Sequence, residues 1–204
     1  SLFSALKDID LSAYDSIVVG PGIGVDNDDW QKSKDYLMGF QGLLILDADA
    51  LNRISESKLG SKFFLERKYQ TWITPHSKEF LRLFPHIRCE TNLGMALKAA
   101  KEFNISILLK GANSIVADRK KIWQLFGTDS QTARAGLGDL LSGFIAGSSA
   151  IDSTLCRNIT TDFFAKYVLL HSFASSKCKT GSNASAIGEE LSKLMRNRKM
   201  RQIS

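Results

Sequence analysis

The chain has 204 residues, 44% hydrophobic and 24% charged, with a formal net charge of +6; this composition suits a globular chain with a sizeable core and argues against a disordered or fibrous one. No apolar run reaches the roughly 20 residues a membrane helix needs, and no basic leader precedes an apolar segment and a small-residue cleavage site, so neither a membrane partner nor a secretory signal is expected. Cys89, Cys156 and Cys178 are odd in number and lack metal-ligand spacing; they read as reduced thiols of a cytoplasmic protein.

In chain order, Ser16-Ile17-Val18-Val19-Gly20 reads as a buried strand ending in a Gly-Pro-Gly turn, and Asp28 to Phe40 has helical spacing through Trp30, Tyr36 and Leu37. Leu43-Leu44-Ile45-Leu46-Asp47 is a continuous apolar run closed by an acid. Thr71-Trp72-Ile73-Thr74 is a short strand, and Pro75 suits the first turn of a helix that buries Phe80 with Leu83 or Phe84. A helix spans Thr91 to Phe103, and Ile105 to Lys110 is again apolar up to a lysine. Ser114–Ala117 and Lys121–Phe126 flank Asp118-Arg119-Lys120, which reads as a hairpin turn. The rest is mostly helical, at about 139–150, 160–177 and 184–199.

Strand runs without alternation are covered on both faces, as in a parallel α/β sheet. With no repeat, linker or low-complexity tract, a single domain over residues 1–204 is expected. Much of the positive excess lies between Lys193 and Arg201. With no aromatic platform beside it, this segment reads as a solvated helix end with cations near the negative dipole pole, and nucleic acid is not expected as a partner.

In open α/β sheets, ligands bind beyond the carboxyl ends of the strands, so the polar residues at those ends are candidates for function. Gly20-Pro21-Gly22-Ile23-Gly24 lacks dinucleotide-fingerprint spacing; its glycines either let backbone approach a ligand or form a tight turn. Asp47 and Asp49 could help hold Mg²⁺ through water, or one could cap the following short helix; Asp47 is the stronger candidate for the metal contact. His76 follows a strand and can hydrogen-bond a substrate amide or phosphate, although a lone histidine is as often structural. Lys110 beside Gly111 can bring an ammonium group and free backbone to a phosphate, or can be a surface lysine at a strand end.

The most informative stretch is Gly136-Leu137-Gly138-Asp139-Leu140-Leu141-Ser142-Gly143. A glycine-rich loop opening a helix points free N–H groups at an anion. An acid there repels phosphate unless it acts on something beside it, which suggests phosphoryl transfer with deprotonation of an acceptor hydroxyl. Gly143 and Gly147, four residues apart, are expected to let this helix pack closely against a neighbour.

Taken in order, the glycine-rich turn at 20–24, Asp47-Ala48-Asp49-Ala50-Leu51-Asn52, Thr74-Pro75-His76…Glu79…Arg82-Leu83, Lys110-Gly111-Ala112 and the 136–143 stretch resemble the NAD(P)H-hydrate dehydratases of the ribokinase-like superfamily. The resemblance covers nearly the whole chain. It implies a three-layer α/β sandwich with a mostly parallel sheet. It also implies a repair reaction in which ADP or ATP, with Mg²⁺, phosphorylates the ring hydroxyl of hydrated NADH or NADPH and phosphate is then eliminated. By the same resemblance Asp139 is the base and a substrate contact. Lys110, Gly111, Ala112, Asn113, Ser114, Gly136 and Gly138 meet the adenine nucleotide. Gly22 or Gly24 and His76 meet the hydrated dinucleotide, and Asp47 reaches Mg²⁺ through water. An NAD(P)HX epimerase, fused or separate, is the implied partner, and a homo-oligomer is expected.

Two departures stand out. Leu137 occupies a place where the family usually has threonine, and the family's earlier strand, Gly-Ser turn and Gly-Ala helix have no counterpart before Ser16. The domain is therefore expected to lack its N-terminal strand and helix. The alternatives are a ribokinase-superfamily kinase of a small alcohol or vitamin precursor, which shares the Gly-x-Gly-Asp core, and a non-catalytic nucleotide-binding module.

Overall fold

The computed structural model describes residues 1–24, 26–126, 136–151, 159–179 and 182–201, without the side chains of 197–201. The strands are β1 (Ser16–Val19), β2 (Leu43–Leu46), β3 (Thr71–Ile73), β4 (Ser106–Leu109), β5 (Ser114–Ala117) and β6 (Ile122–Leu125). They form one sheet in the order β1-β2-β3-β4-β5-β6; β1 to β4 run parallel, and β5 and β6 add an antiparallel hairpin. The helices are α1 (Leu2–Lys7), α2 (Asn27–Gly39), α3 (Ala48–Glu56), α4 (Lys62–Glu66), α5 (Ser77–Leu83), α6 (Asn92–Phe103), α7 (Leu137–Ile151), α8 (Thr161–Lys177) and α9 (Ala184–Arg201).

The strand order dictates the layering. Parallel strands added one after another in a single direction, each through a right-handed crossover, place every crossover helix on the same face. Accordingly α2 to α6 share one core with Leu44, Leu46, Ile73, Ile107, Leu109 and Ile115. The other face, bearing Leu43, Ile45, Trp72, Leu108 and Val116, is covered by α7 and α8. Strand alternation thus feeds two cores, which is why β2 reads as an unbroken apolar run. Trp72 stacks on Phe164 of α8 at 3.7 Å between ring centroids.

Local chemistry fixes the helix ends. Asp26 and Thr160 cap α2 and α8, and α6 ends on Asn104 at φ +53°. Buried Arg67 closes the carboxyl end of α2 by donating to the carbonyls of Leu37, Met38 and Gly42. Burial lowers its pKa to about 10, which leaves it charged at neutral pH. The segment before β1 is partly helical, and Asp29 of α2 holds it by accepting from the amides of Leu2 and Phe3.

Two expectations need correction. Gly143 and Gly147 do not serve close packing among the described residues: both are exposed, and a Cβ built on either meets none of them within 4 Å. The helix buries Leu137, Leu141, Ser142, Ile145 and Ser149 instead, so the apolar periodicity rather than the glycines sets its packed face. Pro75 precedes α5 rather than opening it; it is buried, and its carbonyl accepts from the Lys110 amide at 2.8 Å.

Candidate active site

The face of the sheet that packs on α7 turns polar at its carboxyl edge. Leu43 and Ile45 of β2 point to α7 and α8, and Asp47, two residues on, continues that row; Leu108 of β4 is followed in the same way by Lys110. The two side chains meet. Lys110 Nζ donates to Asp47 Oδ1 at 2.7 Å, with Asp47 1% and Lys110 26% exposed. The other carboxylate oxygen of Asp47 accepts from Ser142 Oγ of α7 at 2.9 Å, and Oδ1 also accepts from the Ala48 amide at 2.8 Å. Ser142 is 1% exposed. Its place in the 136–143 stretch was visible in the sequence, but its partner was not.

The backbone around Asp47 is wedged as well. Gly20 has φ +139°, and a Cβ there would sit 1.7 Å from the Asp47 carbonyl oxygen, so glycine is obligatory. Ala48 has φ +45°, a conformation uncommon for a residue with a side chain.

The loop-to-helix junction lies directly over this pair. A Cβ on Gly138 would be 3.5 Å from Lys110 Nζ and 3.8 Å from Asp47 Oδ2. Gly136, at φ +83°, turns the chain into α7. The first-turn amides of α7 and the Lys110 ammonium therefore converge, two donor groups suited to the same anion. Asp139 sits in this first turn, exposed, and no hydrogen bond or ion pair engages its carboxylate among the described residues.

The remaining candidates flank this centre. Gly111, Ala112 and Asn113 are exposed in the turn after Lys110, whereas Ser114 is buried in β5 and its hydroxyl donates to the Gly111 carbonyl. Gly22 and Gly24 take φ +69° and +79° with open space beside them, and the Gly24 amide donates to Asp49 Oδ2 at 3.0 Å. His76 caps α5: its Nδ1 accepts from the Lys78 and Glu79 amides, while Glu79 returns a bond to the His76 amide. Nδ1 being an acceptor, a neutral ring carries its proton on exposed Nε2, which is 3.6 Å from Glu79 Oε1. His76 bridges Lys110 along the backbone, so β3 and β4 deliver both to one edge. No hydrogen bond joins Gly22, Gly24 or His76 to Asp139 among the described residues.

Three placements were not anticipated. Asp47, expected at Mg²⁺ through water, has its carboxylate engaged by Lys110, Ser142 and Ala48. Leu137 is 8% exposed in a cluster with Ala174, Ile187 and Leu191, so it anchors the first turn of α7 onto α8 and α9. Glu79, which aims His76, is 6% exposed; its spacing of three from a capping residue was the available signal. Residues 127–135, which lead into the 136–143 stretch, lie outside the described residues, as does Cys156; Cys89 and Cys178 are free thiols. Among the described residues no group of three His, Cys, Asp or Glu side chains is gathered for a metal ion, and no helix is long and apolar enough to cross a membrane.

The family model for NAD(P)H-hydrate dehydratase matches residues 4–196. The bifunctional NAD(P)H-hydrate repair enzyme of Methanopyrus kandleri is 31% identical over 208 residues, covering 94% of this chain and 38% of that protein. Its counterpart in Gloeobacter violaceus is 36% identical over 146 residues, covering 69% of this chain and 27% of that protein. The chain thus spans well under half the length of these relatives. Among solved structures, a ribokinase-like superfamily protein from Enterococcus faecalis superposes with a TM-score of 0.76 at 23% identity, covering 96% of this chain and 66% of the other. An ADP/ATP-dependent NAD(P)H-hydrate dehydratase from Bacillus subtilis, co-crystallized with ATP/Mg²⁺ and soaked with CoA, gives 0.70 at 20% identity, covering 96% and 71%. The fold is ribokinase-like.

Proposed function

The chain belongs to the NAD(P)H-hydrate dehydratase family, and from that premise we propose that it restores hydrated NADH or NADPH at the expense of ADP or ATP. Hydroxide is a poor leaving group and phosphate a good one. Transfer of a phosphoryl group to the ring hydroxyl, with loss of the hydroxyl proton to Asp139, gives a phosphate ester. Departure of phosphate with loss of a ring proton then re-forms the dihydronicotinamide double bond. The observation that carries this reading is the convergence of Lys110 Nζ with the amino end of α7, beside an Asp139 carboxylate that nothing described engages. A cation and first-turn amides stabilise charge on the transferring group, and a free carboxylate one residue along is placed to act as general base.

In this reading Lys110 to Ser114, Gly136 and Gly138 receive the nucleotide. Ser114 contributes through the turn it closes, since its side chain is buried. Gly22, Gly24 and His76 receive the hydrated dinucleotide, with His76 offering an Nε2–H to an amide carbonyl or phosphate. Mg²⁺ accompanies the nucleotide and offsets the charge of its phosphates. Asp47 spends three of its acceptor positions on Lys110, Ser142 and the Ala48 amide, which favours a role in holding the lysine over one at the ion; phosphate oxygens and water suffice for Mg²⁺. The protein works in a reducing cytoplasm, alongside an epimerase domain or protein and as an oligomer with copies of itself.

The test is an assay of the full-length gene product with hydrated NADH, Mg²⁺ and either ADP or ATP. Absorbance of the reduced nicotinamide is expected to return. Folded protein that gives no recovery with either nucleotide overturns the proposal, and a stable phosphate ester without elimination establishes the kinase alternative instead.

A further inference from the structure

We propose that Asp47 is the positioning residue of the nucleotide site, setting the distance between the Lys110 ammonium and the amino end of α7. The inference rests on the nucleotide-binding part of the function proposed above. The Asp47 carboxylate is a two-sided clamp. One oxygen holds Lys110 at the end of β4, and the other holds Ser142, one turn into α7 from Gly138. Sheet and helix layer are thereby tied together at the point where the phosphates would sit.

Lysine is a flexible stem with a compact charge. Unrestrained and 26% exposed, it would sample solvent. Held at 2.7 Å, it commits one ammonium proton to Asp47. No other hydrogen bond engages the ammonium among the described residues, which leaves two protons for phosphate oxygens. The clamp itself cannot drift. Its backbone carbonyl abuts Gly20, its own carboxylate accepts from the next amide, and Ala48 pays for that turn with a positive φ. Strain of this kind persists where the surroundings over-determine it, and points to a functional constraint.

The experiment is a double-mutant cycle on MgADP and MgATP affinity by calorimetry, using wild type, Asp47→Asn, Lys110→Met and the double variant, with Ser142→Ala read beside them. Asp47→Asn is expected to weaken binding about tenfold, Lys110→Met at least as much, and the double variant at most about threefold more than Lys110→Met alone, since most of the effect of the carboxylate passes through the lysine and the remainder through Ser142. Ser142→Ala leaves the ion pair in place and is expected to weaken binding about threefold, which provides the test should Asp47→Asn fail to fold. The Mg²⁺ concentration for half-maximal nucleotide binding is expected to stay the same in Asp47→Asn. The proposal is overturned by an Asp47→Asn effect that persists undiminished in the Lys110→Met background, by a shifted Mg²⁺ requirement, which would make Asp47 a metal contact, or by unchanged affinity in both Asp47→Asn and Ser142→Ala. If wild type binds neither nucleotide, the parent reading and this one fall together; if wild type binds and the variants match it, only this one falls.

Discussion

Two aspartates organise opposite ends of this sheet with nearly the same chemistry. Asp47, at the carboxyl end of β2, accepts from an amide, a hydroxyl and a lysine. Asp118, at the β5–β6 turn, accepts from the amides of Lys120 and Lys121 and from the Thr161 hydroxyl of α8. Burial pushes the Asp118 carboxyl up, but the Thr161 hydroxyl and the two amides outweigh it and hold it below the usual carboxylate range. Beside it Asp162 takes Lys121 and Trp123, locking the hairpin to α8. The Asp118 cluster consumes its own donors. The Asp47 cluster lies under a helix amino end with ammonium protons and an Asp139 carboxylate that no described residue engages. A polar network becomes a site through what it leaves unpaired next to open space.

The largest effect that would sharpen this contrast is at Asp139. Asp139→Asn is expected to reduce dehydratase turnover by about 10²–10⁴-fold while nucleotide affinity measured by calorimetry stays within about twofold, because in the proposed reaction the carboxylate serves the acceptor and not the phosphate. An equal loss of both would make Asp139 part of the binding cradle.

Next in size is acid sensitivity that belongs to neither cluster. His171 of α8 has Nε2 buried without a partner among the described residues, and burial pushes its imidazole down to about 4. Its proton binds near 6.5 in the unfolded chain and near 4 in the folded one. Its contribution is therefore whole above pH 6.5 and lost as pH falls to 4, roughly 3–3.5 kcal/mol in all. Asp118, with a lowered pKa, contributes stability that is whole above about 3.8 and is lost as pH falls further. Denaturant unfolding across pH is expected to show both windows; His171→Leu flattens the upper and Asp118→Asn the lower.

A smaller test breaks the comparison from the hairpin side. Thr161→Val removes the hydroxyl on Asp118 and is expected to cost about 1–2 kcal/mol in denaturant unfolding, with nucleotide affinity unchanged. A change in affinity would mean that the two ends of the sheet are coupled. The smallest effect is a gain. Gly143→Ala, on the open face of α7, is expected to add about 0.5–1 kcal/mol by helix propensity alone; a loss would mean that this face is packed in the working protein.

Much of this was legible because local rules and tertiary packing agree. The runs at β2 and β4 have no alternation since both faces are covered, and each ends in the polar residue that the site uses. The hairpin turn was marked by Asp118-Arg119-Lys120. What escaped the sequence is pairing across layers. Ser142 is a small residue in a helix until β2 is known to pass beneath it, and nothing near Asp47 in the sequence announces that Lys110, 63 residues away, will pair with it. The role of Gly143 was misjudged for a similar reason. Which face of α7 is buried depends on α8 and α9, and a glycine pair carries no information about that.

The monotonic strand order also has a consequence for how the protein comes into being. Among the described residues, those up to Phe126 supply the six strands and the helices on one face, and the helices that cover the other face come later in the chain. During synthesis the first portion can hold Lys110 in place while Leu43, Ile45, Trp72 and Leu108 still face water. Asp139 arrives only when α7 and α8 close over that surface. The candidate site is therefore a seam between an earlier and a later part of the described residues, and it is complete only once α7 is in place.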